Sequence, residues 1–379
     1  MRILVINGPN LDLLGTREPD LYGTTTLADL EVQWQLKGDS VGATIEAFQS
    51  NHEGAIVDAI GDGSARYDGL VINAGALTHY SRAIGDAVAA VGLPAVEVHI
   101  SNIYERESWR HLSVLTDVCD LTIVGRGTDG YLHAIDHIVA GSPHPPITAQ
   151  YGPDADMVLD LRTPSGEGLH RVALLIHGGF WRQIWKRDLM DAMAVALAQV
   201  GWATVNIEYH RGRGSYATAS RDIEKAVRWI KNNAVEHSLD PERIVAIGHS
   251  AGGYLALSLA HRGAGLAGAV PLAAVSDLAA MAASRPDDDP VAPFLGATRD
   301  EAPRLWDQAE LTRSPVIPVH LVHGINDDTV DPTQTESYVA RTGGTTPMTM
   351  IGDCGHMELI DPLSESWPEV IAALESVSS

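Results

Sequence analysis

Met1-Arg-Ile-Leu-Val-Ile-Asn7 runs directly into Gly8-Pro-Asn10-Leu-Asp-Leu-Leu-Gly-Thr-Arg17-Glu-Pro-Asp-Leu-Tyr22-Gly23. The first seven residues read as a β-strand, a short apolar run closed by a Gly-Pro turn signal. The polar stretch behind it therefore starts at the strand's carboxyl end, where open α/β sheets bind ligands. Its glycines and prolines permit a loop that folds over a site. Working outward, further strands are expected at residues 44–48, 70–73, 95–100 and 121–124. Helical patterns fall between them at 27–36, 55–60, 82–91 and 131–139. This alternation predicts parallel βαβ units in a doubly wound α/β sheet, and five strands fit a flavodoxin-like layout.

Gly141-Ser-Pro-His-Pro-Pro-Ile-Thr148 interrupts the pattern. Three prolines so close together cannot continue a helix or a central strand. The expected domains are 1–141 and 156–379, with a Pro-rich linker over 142–155. The second domain alternates again, with strands expected at 157–160, 173–176, 204–207, 244–247, 268–272, 318–322 and 347–351, and helices over 217–234 and 252–261.

At roughly 150 residues per domain, 379 residues favour two domains. The chain is 45% apolar and 20% charged, ordinary for a globular protein. No apolar run approaches the roughly 20 residues that span a bilayer, so no membrane partner is expected. The N-terminus is too short and too quickly polar for a secretory signal, which points to the cytoplasm. A net charge of −23 repels phosphate backbones and excludes nucleic acid as a partner. Cys119 and Cys354 are the two cysteines, too few for a disulfide framework or a cysteine metal site and in keeping with a reducing compartment.

Other expected strand ends add polar groups to the first domain. Asn73-Ala-Gly-Ala-Leu-Thr-His79 follows the third strand, and Glu97-Val-His99-Ile100-Ser101-Asn102 closes the fourth. Arg106-Glu-Ser-Trp-Arg110-His111 comes next. A His, a Tyr and several Arg at one sheet edge suit an anionic, hydroxylated ligand and proton transfer. Spacing alone leaves the reaction open.

These stretches, with Phe48-Gln-Ser-Asn-His-Glu53, resemble type II 3-dehydroquinate dehydratases over roughly residues 1–140. The resemblance implies dehydration of 3-dehydroquinate to 3-dehydroshikimate with no metal or other cofactor. It implies that Tyr22 is the base that removes a proton α to the ketone, its phenolate favoured by Arg17. Asn10 stabilises the enolate through a water. His99 is the general acid on the departing hydroxyl, with Glu97 holding the imidazole. Asn73, His79, Ile100, Ser101 and Arg110 contact the substrate, and Asp86 reaches in from a neighbouring subunit. The family forms trimers that assemble into dodecamers, so a homo-oligomer is implied. Leu112 departs from the pattern where a second His is common, as does Gly61-Asp-Gly-Ser-Ala-Arg-Tyr67.

In the second domain Gly248-His249-Ser250-Ala251-Gly252-Gly253 follows the apolar run Ile244-Val-Ala-Ile247 and precedes a helical pattern. This is the strand–turn–helix context of a nucleophile elbow, with Ser250 as nucleophile. Partners follow in the order Ser, Asp, His. Asp327 lies in His323-Gly-Ile-Asn-Asp327-Asp328-Thr-Val330, and His356 in Gly352-Asp-Cys-Gly-His356-Met-Glu-Leu. Asp328 is a neighbouring rival for the acid, and Asp353 is too near His356 for the usual loop. His177-Gly-Gly179-Phe180-Trp181 reads as an oxyanion loop, with the N–H groups of Gly179, Phe180 and Ala251 as donors, each worth roughly 3 kcal/mol of barrier.

Together these parts resemble an α/β-hydrolase of esterase or lipase type, and more narrowly kynurenine formamidase-like enzymes. The fusion and the aromatic Phe180-Trp181 pair lead to an expected hydrolysis of a carboxylic ester, an aromatic ester of quinate or shikimate. The alternatives are an arylformamidase acting on N-formylkynurenine and a non-catalytic binding or assembly module.

Overall fold

The computed structural model describes residues 1–17, 23–140 and 146–378. The chain divides into two compact units, Met1–Pro145 and Pro146–Ser379. In the first, strands β1 (Arg2–Asn7), β2 (Thr44–Gln49), β3 (Gly69–Asn73), β4 (Ala95–His99) and β5 (Leu121–Val124) lie in the order β2-β1-β3-β4-β5. Every pairing is parallel. β3 and β4 are buried along their whole length, as is β1 beyond Arg2. Burial on both faces is why they read as continuous apolar runs rather than alternating ones.

Helices α1 (Leu27–Val41), α2 (Glu53–Gly63), α3 (Arg82–Val91) and α4 (Asp129–Val139) cover the sheet. Leu4 and Ile6 of β1 and Leu70 and Ile72 of β3 pack with Ile56, Ile60, Ile84 and Val88 of α2 and α3. Trp34 of α1 and Tyr131 of α4 meet with ring centroids 4.7 Å apart. α1 opens on a capping box in which Thr26 and Asp29 exchange backbone and side-chain hydrogen bonds of 3.0 and 3.2 Å.

The strand order reverses direction between β1 and β3, so their carboxyl ends diverge into a crevice. Asn7 pairs with Asn73 there. A Cβ on Gly8 would stand 2.2 Å from the Ala74 carbonyl oxygen, so only glycine lets the two loops touch.

The second unit holds β6 (Ile147–Gln150), β7 (Val158–Arg162), β8 (His170–Ile176), β9 (Ala203–Ile207), β10 (Leu239–His249), β11 (Gly268–Leu272), β12 (Leu321–Gly324) and β13 (Met348–Ile351). Their order is β13-β12-β11-β10-β8-β9-β7-β6. β7 runs antiparallel to both of its neighbours, and the other pairings are parallel. This mixed eight-stranded sheet is that of an α/β-hydrolase. Between the strands run α5 (Asp191–Gln199), α6 (Tyr216–Asn232), α7 (Ala251–Ala260), α8 (Leu278–Ser284), α9 (Val291–Leu295), α10 (Pro303–Ala309), α11 (Thr333–Arg341) and α12 (Trp367–Ser376).

The side chains of β8 divide this core. Leu174 and Ile176 join Ile223 of α6 and Leu255 of α7 on one face, while Ala173 and Leu175 join Leu197 of α5 and Leu374 of α12 on the other. β6 corrects one expectation, because it lies inside the stretch read as linker. Its side chains are largely exposed and Ile147 keeps 52% of its surface, so no apolar alternation announces it. It joins the sheet through antiparallel backbone pairing with β7. Among the described residues, no helix is long and apolar enough to cross a membrane.

Candidate active sites

A cleft of about 180 Å³ opens at the carboxyl ends of β1, β3 and β4. Asn10, Arg17, Asn73, His79, His99, Ile100, Ser101 and Arg110 all line it, so residues far apart in sequence meet in one cleft. Tyr22 lies outside the described residues. Asp86 is exposed on α3 and stands apart from the cleft of its own chain, whereas the expectation has it reach a neighbouring subunit's.

Each polar group is held by its element. Asn10 sits in the left-handed region, with φ 65°, and its N–H donates to Asn51 Oδ1 at 2.8 Å. Asn73 donates through Nδ2 to the Tyr131 hydroxyl at 2.9 Å, and that hydroxyl donates to Asn7 Oδ1 at 2.7 Å. The chain Asn73–Tyr131–Asn7 thus ties the ends of β1 and β3 to α4. Arg110 Nε donates to Glu107 Oε2 at 2.8 Å, and its guanidinium lies 4.1 Å from the Trp109 ring centroid. Trp109 in turn meets His79 edge-on at 5.2 Å. Burial pulls the His79 imidazole below its usual range, partly offset by its 2.7 Å contact with the Leu112 carbonyl. Leu112 stands where the resemblance led us to expect a histidine, and it meets His79 through its backbone oxygen.

His99 contacts Glu97 Oε1 through Nε2 at 2.9 Å. Glu97 is fully buried and also accepts from Ser113 at 2.7 Å, Thr116 at 3.0 Å and Thr122 at 3.3 Å. Burial pushes its carboxyl up, but the His99 charge and hydrogen bonds from His99, Ser113 and Thr116 outweigh it and hold the carboxylate below its usual range. The hydroxyl cage is a part of the site that sequence reading missed. Its members sit in loops and on β5, with no motif to mark them. An ionised acceptor against Nε2 fixes the tautomer of His99 and leaves the other nitrogen for proton transfer.

In the second unit Ser250 stands between β10 and α7 at φ 56°, ψ −118°. Few side chains adopt that conformation, and strain of this kind marks functional turns. Its neighbours leave no choice of residue. A Cβ on Gly248 would meet the Gly252 oxygen at 2.2 Å, and one on Gly252 the Ile176 oxygen at 2.1 Å.

His356 reaches Asp327 Oδ2 through Nδ1 at 2.7 Å. Asp327 Oδ1 accepts from the N–H groups of Thr329 and Val330 at 2.9 and 2.8 Å. His323 Nε2 lies 3.2 Å from Oδ2. Burial pushes the Asp327 carboxyl up, and the hydrogen bonds from His323 and His356 overcome this and hold it well below the usual carboxylate range. Asp328 turns to solvent and bonds Thr329 Oγ1 at 3.2 Å, and Asp353 is exposed. Of the three acids weighed, Asp327 is the one on the imidazole.

His249 packs its ring 4.4 Å from that of His356, and its Nε2 is 3.0 Å from the His356 carbonyl. Burial, then the His356 charge, bring its imidazole down to about 3. His249 and His323 both lie inside the quoted motifs. Reading those motifs for the reacting groups alone passed over them.

The oxyanion loop places Gly179, Phe180 and Trp181 in succession at positive φ, 101°, 51° and 55°. This turns the loop back under Ser250, where a Cβ on Gly178 would stand 2.9 Å from the Ser250 Cβ. Among the described residues, the N–H groups of Gly179 and Phe180 donate to no protein acceptor. Ala251 opens α7, so its N–H has no partner within its own helix. His177 anchors the loop: it is fully buried, 2.8 Å from Glu208 Oε1 through Nε2, and stacked on Tyr209 at 4.6 Å. Burial lowers its imidazole to about 3.

Residues 1–139 match the family described as Dehydroquinase class II, and residues 159–341 the family described as BD-FAE. A catabolic 3-dehydroquinase from Aspergillus terreus is 57% identical over 136 residues, 36% of this chain and 90% of that protein. A 3-dehydroquinate dehydratase from Dinoroseobacter shibae is 54% identical over 140 residues, 37% of this chain and 93% of that protein. A carbohydrate esterase from gut microbiota superposes on the hydrolase unit with a TM-score of 0.53 at 16% identity, covering 61% of this chain and 95% of that one. That likeness concerns the fold. With the strand order, the cleft and the sequence identity in agreement, the chain belongs to the type II dehydroquinases through its N-terminal unit and continues into an esterase-like α/β-hydrolase domain of BD-FAE type.

Proposed function

We propose that this chain is a bifunctional enzyme. The N-terminal unit converts 3-dehydroquinate to 3-dehydroshikimate. The observation that carries this is the single cleft joining Asn10, Arg17, Asn73, His79, His99, Ser101 and Arg110 at the switch point. The Tyr22 phenolate removes the proton α to the ketone, and Arg17 favours that phenolate. The negative charge moves onto the carbonyl oxygen and is stabilised through Asn10 and a water. His99, held by Glu97 through Nε2, acts in its doubly protonated form: Nδ1–H gives its proton to the departing hydroxyl, which leaves as water and leaves the neutral imidazole. Arg110 holds the substrate carboxylate. The exposed Asp86 supports a homo-oligomer in which it completes a neighbouring copy's site. The test is the rise in ultraviolet absorbance as the conjugated enone forms, lost in His99→Ala; an unchanged rate in that variant would overturn the assignment.

The C-terminal unit hydrolyses a carboxylic ester. The 2.7 Å contact between His356 and Asp327 carries this reading. Ser250 Oγ attacks the carbonyl while His356 Nε2 takes its proton, and Asp327 stabilises the imidazolium. The oxyanion accepts from Gly179, Phe180 and Ala251. His356 then protonates the leaving alcohol, and water repeats the sequence on the acyl-enzyme. The fusion to a dehydroquinase supports an aromatic ester of quinate or shikimate as the substrate. The discriminating measurement compares kcat/KM for a hydroxycinnamoyl quinate ester and for N-formylkynurenine, with Ser250→Ala as control. Preference for the formamide would replace the ester reading, and failure of a fluorophosphonate to label Ser250 would leave a binding module.

A further inference from the structure

Phe180 offers its N–H to the oxyanion, and its ring carries two guanidinium groups. Arg182 lies 5.8 Å and Arg285 4.9 Å from the ring centroid. The two are not equivalent. Arg182 Nη2 is 2.5 Å from Asp288 Oδ1 and is neutralised there. Arg285 reaches the other way, with Nη2 donating to the Thr329 carbonyl at 2.9 Å. The Thr329 N–H in turn donates to Asp327 Oδ1 at 2.9 Å. Arg285 therefore bridges the oxyanion loop and the loop that holds the triad acid. It is half-buried; among the described residues it makes no salt bridge, although Asp288, bonded to Arg182, also feels its charge.

A guanidinium has five N–H donors in a fixed fork, and Arg285 spends one on a carbonyl. The others remain for a ligand, with the aromatic face beneath keeping the fork in plane. That geometry matches a carboxylate, which accepts two parallel N–H bonds. We propose that Arg285 is the carboxylate-recognising residue of the hydrolase site, so that its preferred substrates are esters with an anionic carboxylate on the alcohol side. The side follows from the mechanism. His356 must protonate the leaving oxygen, so the alcohol lies along the acid loop, and Arg285 is bonded to that loop. This inference rests on the hydrolase reading above.

The test uses the full chain and two matched acetyl esters, of 3-hydroxybenzoate and of 3-hydroxybenzamide, which share a leaving ring and differ in charge. The wild-type protein is expected to favour the carboxylate ester by roughly tenfold in kcat/KM, the scale of a charge-assisted bidentate contact. Arg285→Met should bring that ratio to about one. Arg285→Lys should retain part of it, because a point charge lacks the fork. Free 3-hydroxybenzoate should inhibit the wild-type enzyme more strongly than 3-hydroxybenzamide, a comparison that depends on no variant's folding. A wild-type ratio near one, an Arg285→Met ratio equal to the wild type's, or equal inhibition by the two phenols would each overturn the assignment. If neither ester is cleaved and a fluorophosphonate fails to label Ser250, the hydrolase reading falls and this proposal with it. Labelling with no charge preference removes the Arg285 assignment alone.

Discussion

Replacing Asp327 with Asn changes one atom and should cost the hydrolase nearly all of its turnover. Oδ1 receives the N–H groups of Thr329 and Val330 at 2.9 and 2.8 Å. In the variant the amide oxygen must stay there, since an NH2 facing two N–H donors is unfavourable. The amide nitrogen then takes the place of Oδ2, 2.7 Å from His356 Nδ1. Both groups would be donors in the working tautomer, so His356 must turn its bare Nδ1 to the amide and carry its hydrogen on Nε2. That nitrogen then cannot take the Ser250 proton. A wrong-tautomer imidazole costs on the order of 10⁴ in kcat, which is about 5.5 kcal/mol of barrier. The fold should survive, because His323 Nε2 keeps the Val330 carbonyl at 2.9 Å. The assay is kcat for 4-nitrophenyl acetate, with the hydrolase unit's melting temperature in calorimetry as the folding control. An Asp327→Asn enzyme within tenfold of the wild type would refute the reasoning, and a large loss in Asp328→Asn would transfer the role to the exposed neighbour.

Gly252→Ala places a methyl 2.1 Å from the Ile176 oxygen. It should abolish ester hydrolysis and lower the hydrolase unit's melting temperature in calorimetry; a silent substitution would mean that the elbow relaxes freely. Tyr131→Phe removes the buried hydroxyl between Asn73 and Asn7 and should cost about 2 kcal/mol in denaturant unfolding of the dehydroquinase unit, together with a rise in KM for 3-dehydroquinate. His249 is held neutral to about pH 3, against an unfolded value near 6.5. Between those values the unfolded chain binds the extra proton, so this group's contribution is full above the window and is lost as pH falls through it. His249→Gln should therefore lower the slope of stability against pH by about 1.4 kcal/mol per unit between pH 4 and 6, read from urea titrations. An unchanged slope would show that the imidazole is not held neutral.

The parts of both sites legible in the sequence are those fixed by backbone geometry. A glycine that must clear the Ala74 carbonyl, or a Ser between two glycines that must clear carbonyl oxygens, leaves a motif of fixed spacing. Strand ends such as Asn73 and His99 are legible for the same reason, because an apolar run announces where a polar residue will emerge. Groups that act across the fold leave no such trace. Ser113, Thr116 and Thr122 meet Glu97 from separate segments, and Arg285 meets Phe180 and Thr329 from a loop before α9. Nothing in their own neighbourhoods marks them. β6 was illegible for another reason. Its exposed edge position asks only for backbone pairing, which any sequence without a misplaced proline supplies.

The three residues at positive φ beside Ser250 also bear on how far this protein can be made to endure heat. Phe180 and Trp181 are held there at about 1–2 kcal/mol each relative to glycine, a sizeable share of the 5–15 kcal/mol that keeps an ordinary domain folded. Selection for robustness alone would drift toward Phe180→Gly, which relieves the torsion at a half-buried side chain, and not toward Trp181→Gly, because the buried Trp181 ring stacks on Phe294 at 4.0 Å and its loss would cost about 3–5 kcal/mol, more than the torsion returns. Phe180→Gly would also remove the ring under Arg285. The loop is thus a point where endurance and discrimination pull in opposite directions, and variants bred for one should be screened for the other.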